Sequence, residues 1–197
     1  MADQSTTYEE IIDDDFAALD ELTDLAPARP RITADEARAQ GPRKRLTVPS
    51  DFDGQEFCRD DNLVILANQL IRDHSPTLDH VRNLRVAYLW KRKGGVKGGK
   101  GTLGKCQSLA SIAQFALKAD ILIWLAADNC RDLYLNGPQL EALLFHELLH
   151  IGWDVDKGQA VIVDHDFAGF LKALEIYGAW DSDLERLARH AGQLALF

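Results

Sequence analysis

The segment Asn136-Gly-Pro-Gln-Leu-Glu-Ala-Leu-Leu-Phe-His-Glu-Leu-Leu-His-Ile-Gly152 is apolar on nearly every face, yet its middle holds two imidazoles and a carboxylate. Asn136, Gly137 and Pro138 predict a helix start, because the missing N–H of proline costs nothing in a first turn. Gly152 is the expected stop. A helix that is hydrophobic all round is a buried helix. His146 and His150 stand four residues apart, so they share a face one turn apart. Both can offer a nitrogen to one metal ion. Glu147 lies one step round the helix, near such an ion but free to act as a base. This H-E-x-x-H pattern is the zinc-metallopeptidase signature. A short pattern can arise by chance, but unpaired His and Glu inside a buried apolar helix would be costly.

Two histidines do not hold a catalytic zinc, which takes three protein ligands and leaves one position for water. The metzincin continuation fails, because it would need Gly at 153 and His at 156, where Trp153 and Asp156 stand. His165 is the expected third ligand. It follows a loop and a strand able to reverse the chain, and it stands at the start of a predicted helix. Glu175 is the second candidate; Asp154, Asp164 and Asp166 are weaker ones. Asp164 or Asp166 is also a candidate to orient a ligand imidazole from outside. His74, His80 and His190 lie in polar contexts and read as ordinary surface residues.

The 197 residues suit one domain with tails, and 46% hydrophobic content supports a core without disulfides. Cys58, Cys106 and Cys130 are scattered and include no C-x-x-C, which argues for a reducing compartment and against a zinc ribbon. The N-terminus shows no secretory pattern and no run of apolar residues is long enough to span a membrane, so a cytoplasmic protein is expected. Net charge is −9 and unevenly spread: residues 1–28 hold nine acids and no Lys or Arg, while residues 82–105 hold eight Lys or Arg and no acid.

Residues 1–45 read as an acidic tail and linker, with a rough apolar stripe at Ile11, Ile12, Phe16, Leu19 and Leu22; such a leader can cover a basic surface or recruit a partner. Residues 46–197 form the expected domain. Residues 60–74 predict a helix capped by Asp61 or Asn62. Residues 84–92 alternate as a strand. Residues 93–104 form a Gly-rich loop. It is not a phosphate loop, because Gly101 stands where the Mg²⁺-binding hydroxyl must be. It reads as a flexible hairpin tip, or as an electrostatic finger in which Lys93, Lys97, Lys100 and Lys105 bind nucleic acid or another polyanion. Residues 103–117 are ambiguous between strand and short helix. Asp120–Ala126 predicts a strand, and residues 127–135 a loop. Val161–Val163 predicts a short strand, residues 166–177 a helix stopped by Gly178, and Ser182-Asp-Leu-Glu185 a capping box that opens a last helix.

Taken together, Ala142–Ile151, His165-Asp166-Phe167 with Phe170, Tyr177-Gly-Ala-Trp180, the strand at 85–90, the Gly104-Lys105 return and the strand at 120–125 resemble the putative phage metallopeptidase family. That family is similar in layout to SprT-like zinc proteases. The resemblance covers roughly residues 55–181. It implies an α+β, zincin-like fold, with a small mixed β-sheet packed on a buried active-site helix and a helical C-terminus. It implies one zinc ion at His146, His150 and His165, with Glu147 catalytic, and a phage or prophage origin with activity in the host cytoplasm. The cysteines for a separate DNA-binding zinc module are absent.

The expected reaction is hydrolysis of a protein or peptide by an activated water, with Glu147 moving the proton. A substrate strand is expected along an open sheet edge near Asp120–Asn129. The rival reading is a protein that binds nucleic acid or a partner through a structural or degenerate zinc site.

Overall fold

The computed structural model describes residues 43–97, 99–165, 170–186 and 189. The expectations for residues 1–42, for Asp166 and for His190 lie outside the described residues. The core sheet has four strands in the order β1 (Phe57–Cys58), β2 (Val86–Lys91), β6 (Ile121–Ala126) and β5 (Gly104–Ser108). β1 runs antiparallel to β2, β2 parallel to β6, and β6 antiparallel to β5. The fold is therefore α+β with a small mixed sheet.

Alternation along the strands creates two faces. Tyr88, Trp90, Cys106, Ile121, Ile123 and Leu125 pack on one side with α1 (Asp61–Asp73) and α4 (Gly137–Leu149). Leu89, Leu122, Trp124 and Ala126 face the other side, covered by Ala113 and Leu117 of α2 (Ser111–Leu117). β6 is thus buried on both faces, which is why its sequence is apolar without alternation. Leu63, Leu66, Ala67 and Leu70 of α1 meet Leu140, Leu143, Leu144 and Phe145 of α4 in the larger core. Burying each such leucine or phenylalanine contributes roughly 1.5–3 kcal/mol.

Several sequence expectations shift by a few residues. The cap of α1 is Asp60, whose carboxylate accepts from Asn62 N–H at 2.8 Å. Residues 103–117 supply both a strand, β5, and a helix, α2. The expected loop at 127–135 begins instead with a helix, α3 (Ala127–Asp132), held by burial of Ala127 and Cys130. Ser182 does not cap the last helical segment; Asp181 does, accepting from Asp183 N–H at 2.8 Å and Leu184 N–H at 3.0 Å. The described part of the helix expected at 166–177 is α5 (Leu171–Tyr177), closed by Gly178.

The Gly-rich segment is a short hairpin, β3 (Val96–Lys97) with β4 (Lys100–Gly101), and its base is fastened. The Asn129 side-chain amide donates to Gly95 O at 3.0 Å and Thr102 O at 2.8 Å, and Asp128 accepts from Gly94 N–H at 2.9 Å. A Cβ at Gly94 or Gly101 would fall within 3 Å of Asn129 atoms, so these two glycines are set by close approach. No helix among the described residues is long and apolar enough to cross a membrane.

Candidate metal centre

Asn136 and Gln139 close α4 with a reciprocal capping box, and Pro138 occupies its first turn. At the other end the helix stops at Leu149, before the expected Gly152. His150 takes the cap, and the chain passes directly into β7 (Ile151–Asp154), which pairs with β8 (Gln159–Ile162). Val163 N–H donates to His150 O at 2.8 Å, and Gly152 lies inside the strand, where a Cβ would strike Val163. This hairpin returns the chain to the helix end and delivers His165.

His146, His150 and His165 each offer a ring nitrogen, and these nitrogens all lie within 4.8 Å of one another. His146 Nε2 and His165 Nε2 are 2.9 Å apart. Three nitrogens at about 2.0–2.1 Å from a tetrahedral zinc would stand about 3.3 Å from each other, so small side-chain shifts suffice. His150 Nδ1 donates to Val163 O at 2.8 Å, which leaves Nε2 as the ligand atom. The outer partner of this imidazole is thus a backbone carbonyl. Phe170 packs edge-on against all three rings, at 5.2, 4.7 and 5.1 Å between centroids. Trp180 lies 6.0 Å from His146. These aromatics limit where the imidazoles can turn.

The electrostatics suit a cation. Burial, then the neighbouring His165 and His150, lower the His146 pKa to about 3, so its lone pair stays available. Glu147 is almost fully buried and burial raises its carboxyl to about 8, against one favourable hydrogen bond from Cys106 N–H. Its Oε2 is buried without a partner. An orphaned carboxylate oxygen beside converging imidazoles fits a cation and its water better than an empty core.

Gly104 lets this carboxylate in. A Cβ there would stand 2.6 Å from Glu147 Oε1 and 3.0 Å from its carboxyl carbon. Gly104→Ala is therefore expected to displace the carboxylate, lowering any catalysis that uses it by about 10–100-fold for a shift approaching 1 Å. The capacity of the three histidines for a metal ion should be unchanged; turnover assays beside elemental analysis of the metal-loaded chain separate the two. Nothing in the sequence around Gly104 names Glu147 as its neighbour. A glycine opening a strand is the available signal for close approach.

A pH effect follows for the metal-free protein. Glu147 is protonated in the fold below about 8 but ionises near 4.5 in the unfolded chain. Its contribution to stability is fully present below 4.5 and is lost as pH rises to 8, with a slope of up to about 1.4 kcal/mol per pH unit between those limits. Glu147→Gln should thus raise the melting temperature of the metal-free chain at pH 8.5 and leave it unchanged at pH 4, as followed by circular dichroism.

The other candidates lie elsewhere. Glu175 is exposed and pairs with Lys172 at 3.1 Å. Asp154 caps the β7–β8 turn, accepting from Asp156 and Lys157 N–H at 3.0 Å. Asp164 is exposed and outside the histidine group. His80 and His74 are not ordinary surface residues. His80 Nε2 donates to Ile151 O at 2.6 Å, tying down the chain just after His150. The His74 ring packs 4.6 Å from Phe145, and burial lowers its pKa. Burial also pushes the Cys130 thiol up to about 12 and raises that of Cys106, so neither is a ready thiolate. The expected substrate edge is wrong: β6 is paired on both sides. The sheet edge beside Glu147 is β5.

A family model described as putative phage metallopeptidase matches residues 55–192, further than the resemblance at 55–181 and into the last helical segment. No curated protein and no solved structure matches the chain.

Proposed function

Since the chain belongs to the putative phage metallopeptidase family, we propose that it hydrolyses peptide bonds, with one zinc ion held by His146, His150 and His165 and with Glu147 as general base. The observation that carries this reading is the three-imidazole group beside a buried carboxylate with one unpartnered oxygen. A purely structural site has no need of that oxygen. Three imidazole nitrogens within 4.8 Å of one another suit zinc, and a bound zinc ion would supply an acidified water and a Lewis acid at the scissile carbonyl.

The chain's own residues do the rest. Glu147 takes a proton from the attacking water and delivers it to the leaving amine. The Cys106 N–H fixes one carboxylate oxygen, which leaves Oε2 for the proton. Gly104 leaves room for the Glu147 carboxyl, and a substrate backbone would pair along the outer edge of β5. Trp180 packs against His146 and Phe170 against all three imidazoles, which holds the rings in place. The setting is a phage or prophage protein working in the host cytoplasm.

The test is to load the chain with zinc, incubate it with a peptide library cut from whole-cell protein, and count new amino termini by mass spectrometry. New termini that vanish with a chelator and return with zinc are expected. A fully zinc-loaded chain that generates none would overturn the reading and leave a binding protein with a structural site.

A further inference from the structure

The surface around the β3–β4 hairpin is both basic and apolar, and the metal centre uses none of it. Of the eight cations in residues 82–105, the fold pairs four: Arg82 with Asp79, Arg85 with Asp120, Lys91 with Glu56 and Lys100 with Asp183. Arg92 donates to Gly54 O. Lys93, Lys97 and Lys105 remain exposed, with no carboxylate partner among the described residues. Val96 at the hairpin is 73% exposed. Leu133 and Tyr134, 54% and 89% exposed, follow α3, whose Asn129 clamps that hairpin. Tyr134 adopts φ 53° as the left-handed residue that closes α3, its N–H donating to Arg131 O at 2.9 Å and Leu135 N–H to Cys130 O at 3.0 Å, and this turn leaves its ring in solvent.

We propose that this patch is the docking surface for the chain's own acidic segment, residues 8–25. The chemistry of the two is complementary. Residues 1–42 carry eleven acids and three bases, whereas the remainder carries twenty acids and nineteen bases. Ile11, Ile12, Phe16, Leu19 and Leu22 recur at rough helical spacing, with Glu9, Asp13, Asp14, Asp15, Asp20 and Glu21 among them. Apolar side chains meet Val96, Leu133 and Tyr134 while the acids meet Lys93, Lys97 and Lys105. The tether reaches. The described chain begins at Arg43, fixed by Glu141 at 2.6 Å and Asp73 at 2.9 Å. Chain statistics give the 18 residues from 25 to 43 a root-mean-square span of about 23 Å, against a radius of gyration of about 15 Å for a domain of this size. Individual surface ion pairs are weak, but tethering raises the local concentration to about the millimolar range.

Nucleic acid fits the same patch less well. Four cations without a carboxylate partner, Arg92, Lys93, Lys97 and Lys105, neutralise about four phosphates, the exposed valine and leucine offer a phosphate nothing, and the excess acids of residues 1–42 repel a polyanion.

Lysine acetylation of the full chain, read by mass spectrometry, tests the proposal without any assay of hydrolysis. Lys118 is the reference. It is exposed and sits before the start of β6, whereas the hairpin is clamped beyond the end of that strand. In low salt, Lys93, Lys97 and Lys105 should react about fivefold more slowly than in a variant carrying Glu9→Gln, Glu10→Gln, Asp13→Asn, Asp14→Asn and Asp15→Asn. A second variant, Phe16→Ser with Leu19→Ser, should also lose the protection, and Lys118 should be unaffected throughout. Equal rates in wild type and both variants would overturn the proposal. So would protection that grows with protein concentration, which assigns the patch to a second copy, or protection that needs an added oligonucleotide.

Discussion

Glu147→Gln is expected to keep one zinc ion per chain and to lose peptide hydrolysis by a factor of about 10²–10⁴. The substitution preserves the shape of the side chain, so Gly104 still accommodates it and Cys106 N–H can still find an acceptor. The three imidazoles keep their own chemistry. What disappears is the buried glutamate oxygen without a partner, and with it the place for the proton. Elemental analysis beside the initial rate on any cleaved peptide decides the matter. A variant that hydrolyses as fast as wild type would remove Glu147 from the mechanism.

His165→Ala is expected to have the largest effect on metal binding. Two histidines on one helix leave the ion half exposed, and the third closes it from the segment that follows β8. Removing an outer hydrogen-bond partner weakens metal binding about 10–100-fold, so removing a ligand should weaken it by at least about 100-fold. At a zinc level giving wild type about 4 kcal/mol of ligand-linked stability, the variant would retain about 1.4 kcal/mol. Chelator competition and melting with and without zinc both read this. Identical zinc-induced stabilisation in the two proteins would exclude His165 as a ligand.

What the sequence made legible was local. α4 could be read from its cap, its apolar faces and its two histidines, because every one of those signals lies within a few turns. That His165 joins the two helical histidines in one group was expected from ligand count and residue type. The boundary at Gly152 was misread because a tertiary bond, Val163 N–H to His150 O, ends the helix earlier and draws the chain into β7. α3 was missed because Ala-Asp-Asn-Cys-Arg-Asp contains few strong helix formers; burial of Ala127 and Cys130 overrides propensity there. Strand order was the least legible. The unbroken apolar run of β6 does signal burial on both faces and hence a central strand, but its neighbours are chosen by contacts distant in sequence. For the same reason the pairing of Gly104 with Glu147, and the carbonyl partner of His150, could only be seen in three dimensions.

The central claim is that three imidazoles hold one zinc and leave a position open. X-ray absorption at the zinc edge of the loaded chain measures this directly. The account predicts three imidazole nitrogens at about 2.0–2.1 Å and one further light oxygen donor from water. A sulfur scatterer at about 2.3 Å, or a fourth protein ligand filling the site, would contradict it.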